Sequence, residues 1–348
     1  MRPVLALGII IAGLAGGAFL YIWSSGNASA VKMSLTGTEP YREIVNPSGF
    51  VNSDPFTLQS LIGKKVILLD FLTYSCINCQ RTFPALNAWY SAYEKDGLEI
   101  IGIHTPEFSF EKNLDNVRAA AAQFGIKFPL VLDNDYSTWN SYGNQYWPHK
   151  YLIDIHGNII YDHIGEGGDR ETEAEIRKAL DERASVLGQN VTLPQPVSAG
   201  DGLDVTALSR SQEIYFGAER NSFLANDPGM LGESDFMLPD SFKLNSLYLG
   251  GKWNITPEYA EAKAGDMIAV RYRAKEVYFV ANAPLGVVIH VFQDGKLLDT
   301  PAKDVVKGAA TIKEDRLYTI IQNSNIEEHV LEIRIEGDGL KAYTLTFG

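Results

Sequence analysis

From Lys65 to Tyr90 the chain reads KVILLDFLTYSCINCQRTFPALNAWY, an apolar run at Val66-Ile67-Leu68-Leu69 followed by apolar positions at helical spacing. The implied order is strand, short turn, helix, and the helix runs out at Asp96-Gly97. Leu98 to Ile103 is a second buried-strand run, ending in His104-Thr105-Pro106-Glu107. Glu111 to Phe124 puts Leu114, Val117, Ala121 and Phe124 on one helical face, and Gly125 stops it. Phe128 to Leu132 reads as a strand and Asp133 to Tyr142 as a short helix rich in aromatics. Two further strands, Tyr151 to Ile155 and Asn158 to Ile164, flank a tight turn at His156-Gly157. A last helix, Arg170 to Leu187, presents Ile176, Leu180, Ala184 and Leu187.

Beyond Leu187 the texture changes. Gly188 to Gly202 holds Pro194, Pro196 and three glycines and reads as a linker. Leu331 to Glu336 alternates strictly, and Ile268 to Tyr272, Tyr278 to Ala281, Val287 to Phe292 and Tyr343 to Phe347 also read as strands. Asp294-Gly295 and Asp338-Gly339 mark turns. Residues 203–348 are therefore expected to form an antiparallel β-sandwich. At the other end, Val4 to Trp23 is an uninterrupted apolar stretch, and as a helix at ~1.5 Å per residue it spans the ~30 Å hydrocarbon core of a bilayer. Arg2 precedes it, which predicts a cytoplasmic N-terminus with everything after Trp23 outside. Ala28-Ser29-Ala30 offers a cleavage site, so residues 1–30 are an anchor or a signal sequence, the length favouring an uncleaved anchor. Residues 30–47 are polar and read as a tether.

At 348 residues two domains are expected, and 45% hydrophobic with 21% charged residues is an ordinary globular composition. The formal charge is −13, and beyond residue 30 there are 29 basic against 43 acidic residues. That balance argues against nucleic acid and against docking on anionic lipid.

The chemistry sits at the first strand-helix junction. Cys76 and Cys79 are the only cysteines. A thiol at the first turn of a helix faces unpaired backbone N–H groups, which favour the thiolate. A second thiol about one turn on is placed to resolve a mixed disulfide, leaving a Cys76–Cys79 disulfide. Asp70, on the apolar strand, is expected to be desolvated, with a raised pKa suited to relaying a proton for the resolving thiol. Pro84 falls inside the helix, and Pro148 follows Trp147 before the strand at Tyr151. Since functional groups gather beyond the C-terminal ends of parallel strands, His104 and Glu107 are expected near Cys76, as candidates for tuning the thiolate or holding a substrate. C-x-x-C is also half a zinc site, but no second C-x-x-C or paired histidine motif accompanies it, so no metal is expected.

On the Asp70-to-cysteine spacing, the C-x-x-C, Pro84 and Trp147-Pro148, the chain resembles the thioredoxin superfamily, in its exported TlpA-like branch. The stretch Thr73-Tyr74-Ser75-Cys76-Ile77-Asn78-Cys79-Gln80-Arg81, with Ser75 where many thioredoxins carry Trp, looks more like the soluble region of DipZ-type proteins. The resemblance runs from about Tyr41 to Gly348. It implies a thioredoxin-like α/β domain over residues 31–187 with an edge hairpin at Gly49 to Gly63. A linker at 188–202 and a jelly-roll-like module at 203–348, similar to carbohydrate-binding modules, would follow. Trp147 and a cis Pro148 would face the substrate. The implied activity is that of a membrane-tethered, extracytoplasmic thiol-disulfide oxidoreductase needing no cofactor beyond its own cysteines. It would reduce disulfides in exported proteins or apocytochromes and be fed by a membrane electron donor of the CcdA/DsbD type. Ile77-Asn78 lacks the histidine of strongly oxidising relatives, in keeping with a reductant. In the β module Trp253 and Tyr248, with Tyr259 and Tyr215, are candidates for stacking on a glycan, and Arg271 and Arg273 are polar partners. The rival reading is a surface adaptor or glycan-binding protein whose thioredoxin-like part is scaffold. A peroxidase using Cys76 would need Thr73 or Arg81 as activator, without the pattern that usually accompanies them.

Overall fold

The computed structural model describes residues 39–198, 210–226 and 230–348. The apolar stretch Val4 to Trp23 lies outside these residues, and among the described residues no helix is long and apolar enough to cross a membrane.

The first half contains β1 (Glu39–Pro40), β2 (Gly49–Val51), β3 (Val66–Leu72), α1 (Ile77–Tyr93), β4 (Leu98–His104), α2 (Leu114–Gln123), β5 (Leu130–Leu132), α3 (Ser137–Ser141), β6 (His149–Ile153), β7 (Asn158–Ile164) and α4 (Asp169–Val186). Its sheet runs β1-β7-β6-β3-β4-β5-β2. The strands β3, β4 and β5 are parallel, and β6 pairs antiparallel with β3 on the other side. All seven residues of β3 are buried, as its apolar sequence requires of a strand covered on both faces. This is the α/β arrangement that the thioredoxin resemblance implies.

Local differences from the expected elements have local causes. The helix expected from Glu111 starts at Leu114, because the Asn113 side chain accepts the Asp115 N–H at 2.8 Å and Ser109–Lys112 is a tighter 3-10 turn. The helix expected from Asp133 begins only at Ser137, since the Asp133 carboxylate accepts the Thr138 and Trp139 N–H groups at 2.8 and 2.9 Å. Gly49 to Gly63 is not a hairpin: β2 pairs with β5 at the sheet edge, and Leu58–Ser60 is a 3-10 turn. The end of the expected tether is likewise tied down, with Glu39 and Pro40 paired to Ile159 and Asn158.

The second half contains β8 (Ile214–Tyr215), β9 (Gly232–Phe236), β10 (Ser246–Ile255), β11 (Ala260–Ala262), β12 (Met267–Asn282), β13 (Val287–Gln293), β14 (Lys296–Leu297), β15 (Ala309–Ile312), β16 (Arg316–Ile335) and β17 (Leu340–Phe347). The expected sandwich is one antiparallel sheet folded on itself. The first half of β12 pairs with β10 and its second half with β17, while β16 follows it along the other edge. Register shifts at Ala274/Glu276 and Val277/Tyr278 supply the bend, so the two expected strands Ile268 to Tyr272 and Tyr278 to Ala281 are one.

The described residues pack as one compact unit. An apolar cluster joins Ile77 and Phe108 of the first half to Tyr278, Val280, Leu317 and Tyr343 of the second. The Tyr343 ring lies 5.1 Å from that of Phe108 and 4.9 Å from that of Phe110, both edge-on. Around it, the Tyr74 hydroxyl donates to the Asp315 carbonyl at 3.1 Å and Ser109 Oγ donates to Glu258 at 2.6 Å. Tyr343→Ala should therefore cost about 3 kcal/mol in urea unfolding. Leu285→Ala, at a side chain 96% exposed, should stay within ~0.5 kcal/mol.

Candidate active site

Strand β3 ends at Leu72, and the loop Thr73-Tyr74-Ser75 delivers Cys76 as the extended residue that caps α1. Cys76 is half-buried and Cys79 fully buried, and the two are separate thiols in this structure. Burial pushes the Cys79 thiol well up, and the Cys76 thiol and the Asp70 carboxyl nearby add to the effect. One thiol half-open and the other enclosed and reluctant to ionise is an arrangement suited to a two-step exchange.

Two buried side chains hold the loop in front of Cys76. Glu111 accepts the Ser75 hydroxyl at 2.6 Å and the Ser75 N–H at 3.3 Å through one oxygen. Through the other it accepts the N–H groups of Glu107 and Phe108 at 2.6 and 2.9 Å. Burial, then the Glu107 charge, raises the Glu111 carboxyl to about 7. His104 accepts the Tyr74 N–H at 3.4 Å through Nε2 and stacks beneath the Tyr74 ring. Burial lowers its imidazole to about 4, so it is neutral at physiological pH. His104 therefore supports the loop from behind and does not line the cavity at Cys76, whereas Glu107 does.

Beneath the thiols, Asp70 and Lys150 face each other in register across β3 and β6, with Nζ 3.8 Å from Oδ1 and both side chains fully buried. Neither the carboxylate nor the ammonium has a hydrogen bond among the described residues. Burial outweighs the Lys150 charge and raises Asp70 to about 6. The expected proton relay thus has a counter-ion that the sequence reading missed, although a lone lysine in the apolar strand opposite was a visible signal.

The Trp147-Pro148 peptide is cis. Trp147 Nε1 donates to the Thr105 carbonyl at 3.1 Å, and its ring leans on Trp139 with centroids 4.2 Å apart. Trp147, Cys76 and Glu107 form one side of a cavity of about 160 Å³. The other side comes from the second half of the chain: Glu213, Tyr215, Arg220 and Val280. Arg81, one turn beyond Cys76 on α1, helps hold the halves in place. It pairs with Glu166 at 3.2 Å after β7 and with Glu276 at 3.5 Å on β12, and donates to the Tyr278 hydroxyl at 3.1 Å. His149, next to Pro148, is taken up by Asn144, Tyr151 and Asp162.

The glycan candidates are elsewhere engaged. Trp253 is 0% exposed in the core of the β half, its Nε1 donating to the Gly250 carbonyl at 3.1 Å. Tyr248 is 5% exposed and accepts the Lys243 N–H, so neither ring presents a face to a sugar. Tyr259 packs on Tyr343, Tyr215 belongs to the cavity at Cys76, and Arg271 pairs with Glu328. Among the described residues no three His, Cys, Asp or Glu side chains converge as a metal site.

Residues 46–162 match the AhpC/TSA family, and residues 211–348 match the thioredoxin-like C-terminal domain. Protein DipZ of Mycobacterium tuberculosis (strain CDC 1551 / Oshkosh) is 35% identical over 324 residues, covering 92% of this chain and 44% of that protein. The chain thus spans less than half the length of that relative. The thiol-disulfide oxidoreductase YkuV of Bacillus subtilis (strain 168) is 26% identical over 144 residues, 41% of this chain and 96% of its own. A solved thioredoxin-like protein in the oxidized form matches with a TM-score of 0.39 at 25% identity, over 42% of this chain and 97% of that one.

The Asp70 value has a measurable consequence. In the unfolded chain the carboxyl titrates near 4, and in the folded protein near 6, so between these values the folded state binds the extra proton. The contribution of Asp70 to stability is therefore most favourable below pH ~4, falls by about 3 kcal/mol as pH rises to ~6, and is flat above. Urea unfolding of the wild type and of Asp70→Asn across pH 4 to 7 should show their difference shifting by that amount against the wild type.

Proposed function

We propose that the chain is a thiol-disulfide oxidoreductase of the TlpA-like thioredoxin type, Cys76 attacking and Cys79 resolving. The observation that carries the reading is the pairing of a half-open Cys76 at the mouth of α1 with a buried Cys79 above the Asp70 carboxyl.

In the reductive direction the Cys76 thiolate attacks one sulfur of a substrate disulfide. That S–S bond breaks, the first substrate thiolate leaves, and a mixed disulfide joins Cys76 to the other half. Cys79 then loses its proton, for which Asp70, with a value of about 6, is the nearby acceptor, and attacks the Cys76 sulfur. The second substrate thiolate leaves, and two electrons have passed from the protein to the substrate. An external dithiol returns the pair. Glu111 and His104 act on this sequence by fixing the Ser75 and Tyr74 backbone, and so the direction of the helix mouth. Trp147 walls the cavity in which the mixed disulfide would form.

The natural substrates on this reading are disulfides of exported proteins, with the chain acting as their reductant outside the cytoplasmic membrane. The support for that location is the apolar stretch Val4 to Trp23 behind Arg2, which suits a tether, with a membrane dithiol carrier as electron source. The absence of an exposed aromatic platform at Trp253 and Tyr248 leaves the glycan alternative without a site at those residues.

In an insulin reduction assay Cys76→Ser should abolish turnover. Cys79→Ser should stall at the mixed disulfide, visible as a covalent adduct on non-reducing gels. Undiminished activity in Cys76→Ser would remove the proposal. Equilibration of the pair against dithiothreitol should give a potential near thioredoxin's ~−270 mV, and a value near ~−120 mV would reverse the direction.

A further inference from the structure

The cavity over Cys76 is built from both halves of the chain, and its charge is unbalanced. We propose that Glu213, Tyr215 and Arg220 of the second half, together with Glu107, make this cavity selective for disulfides that carry a cationic group beside the sulfur. The proposal rests on the oxidoreductase reading and names the substrate class of the same site.

Glu107 is satisfied: it accepts Arg220 NH1 at 2.7 Å and lies 2.8 Å from the Tyr215 hydroxyl. Arg220 in turn lies over the Tyr215 ring, 3.9 Å from its centroid, so its charge is held against Glu107. Glu213 makes no ion pair, and the Arg220 charge reaches it only from a distance. Its carboxyl meets the Tyr215 hydroxyl at 2.8 Å, Thr346 Oγ1 at 2.9 Å and Thr344 Oγ1 at 3.3 Å, all neutral. The Tyr215 hydroxyl has one proton and stands 2.8 Å from a carboxylate oxygen on each side. It can donate to only one of them, so the other contact is repaid only when a carboxyl carries a proton of its own. Burial, then the Glu107 charge, raises Glu213 to about 7 in agreement with this geometry.

With both carboxylates ionised, the wall of the cavity that Cys76 also lines carries two negative charges against one positive. An ammonium or guanidinium entering beside the disulfide supplies the missing charge, while an incoming carboxylate meets Glu213 unpaired. The volume of about 160 Å³ admits an aminoethyl group or the end of one basic side chain, which confines recognition to the immediate neighbours of the sulfur.

The test is single-turnover oxidation of the reduced full chain at pH 8 by three disulfides of similar size: cystamine, bis(2-hydroxyethyl) disulfide and dithiodiglycolate. Each oxidation is balanced: Cys76 displaces one small thiol, Cys79 displaces the second, and the protein disulfide is left. Rates are divided by those for free dithiothreitol, which removes the intrinsic reactivity of each compound. Cystamine should exceed dithiodiglycolate by about tenfold after this correction, with the neutral disulfide between them. Glu213→Gln should contract that ratio by about threefold or more, and Arg220→Gln, which frees Glu107, should widen it. Should Glu213→Gln fail to fold, the exposed Arg220 position carries the test by its opposite shift. A corrected ratio near one, or a ratio that neither variant moves, overturns the proposal. Failure of all three disulfides to oxidise the protein overturns the oxidoreductase reading beneath it.

Discussion

The packing of Ile77 against the second half of the chain is the constraint from which the rest follows. Ile77 is the residue after Cys76 and the first of α1, and it belongs to the same apolar cluster as Tyr278, Val280 and Tyr343. The docking of the two halves and the seating of the helix mouth are thus one contact. Burying these aromatic rings together fixes the roof over Cys76 at no extra conformational cost, because the side chains that would otherwise be free are already ordered in the core. Arg81 repeats the arrangement one turn along, bridging α1, the loop after β7 and β12. A thiol at the surface of an isolated α/β domain would be open to any disulfide. Here the approach is through a cavity with two owners.

Three carboxyls surround the pair, and each is held in the protonatable range by burial: Asp70 below, Glu111 behind the loop and Glu213 across the cavity. Their partners separate their roles. Asp70 faces an ammonium and touches Cys79 electrostatically, which suits proton exchange. Glu111 accepts four hydrogen bonds from one loop and one turn, which suits positioning. Glu213 hydrogen-bonds only to hydroxyls and lines the cavity, which suits recognition. Buried acids are costly unless paired, so three of them around one pair of thiols mark the region as a candidate functional site.

Much of this was legible in the amino-acid order. The buried strand carrying Asp70, the C-x-x-C at a helix start and the Trp147-Pro148 corner are short-range patterns, and each appears at the expected residues. What could not be read depends on contacts between residues far apart in the chain. Lys150 opposite Asp70 requires the register of β6 on β3, and Glu213 and Arg220 beside Cys76 require the docking of two domains. Trp253 and Tyr248 misled for a related reason: an aromatic residue in a β-strand has the same local pattern whether its ring faces the core or a ligand. His104 lies at the end of β4 as expected, but its imidazole meets the Tyr74 backbone and does not line the cavity at Cys76.

The tilted, closely packed Trp147 and Trp139 rings give the molecule an optical property. Indole emission is quenched efficiently by a nearby disulfide and much less by thiols, and Trp147 shares its cavity with Cys76. Closing and opening of the sulfur bridge should therefore be followed by the protein's own fluorescence, without a dye or a coupled reaction.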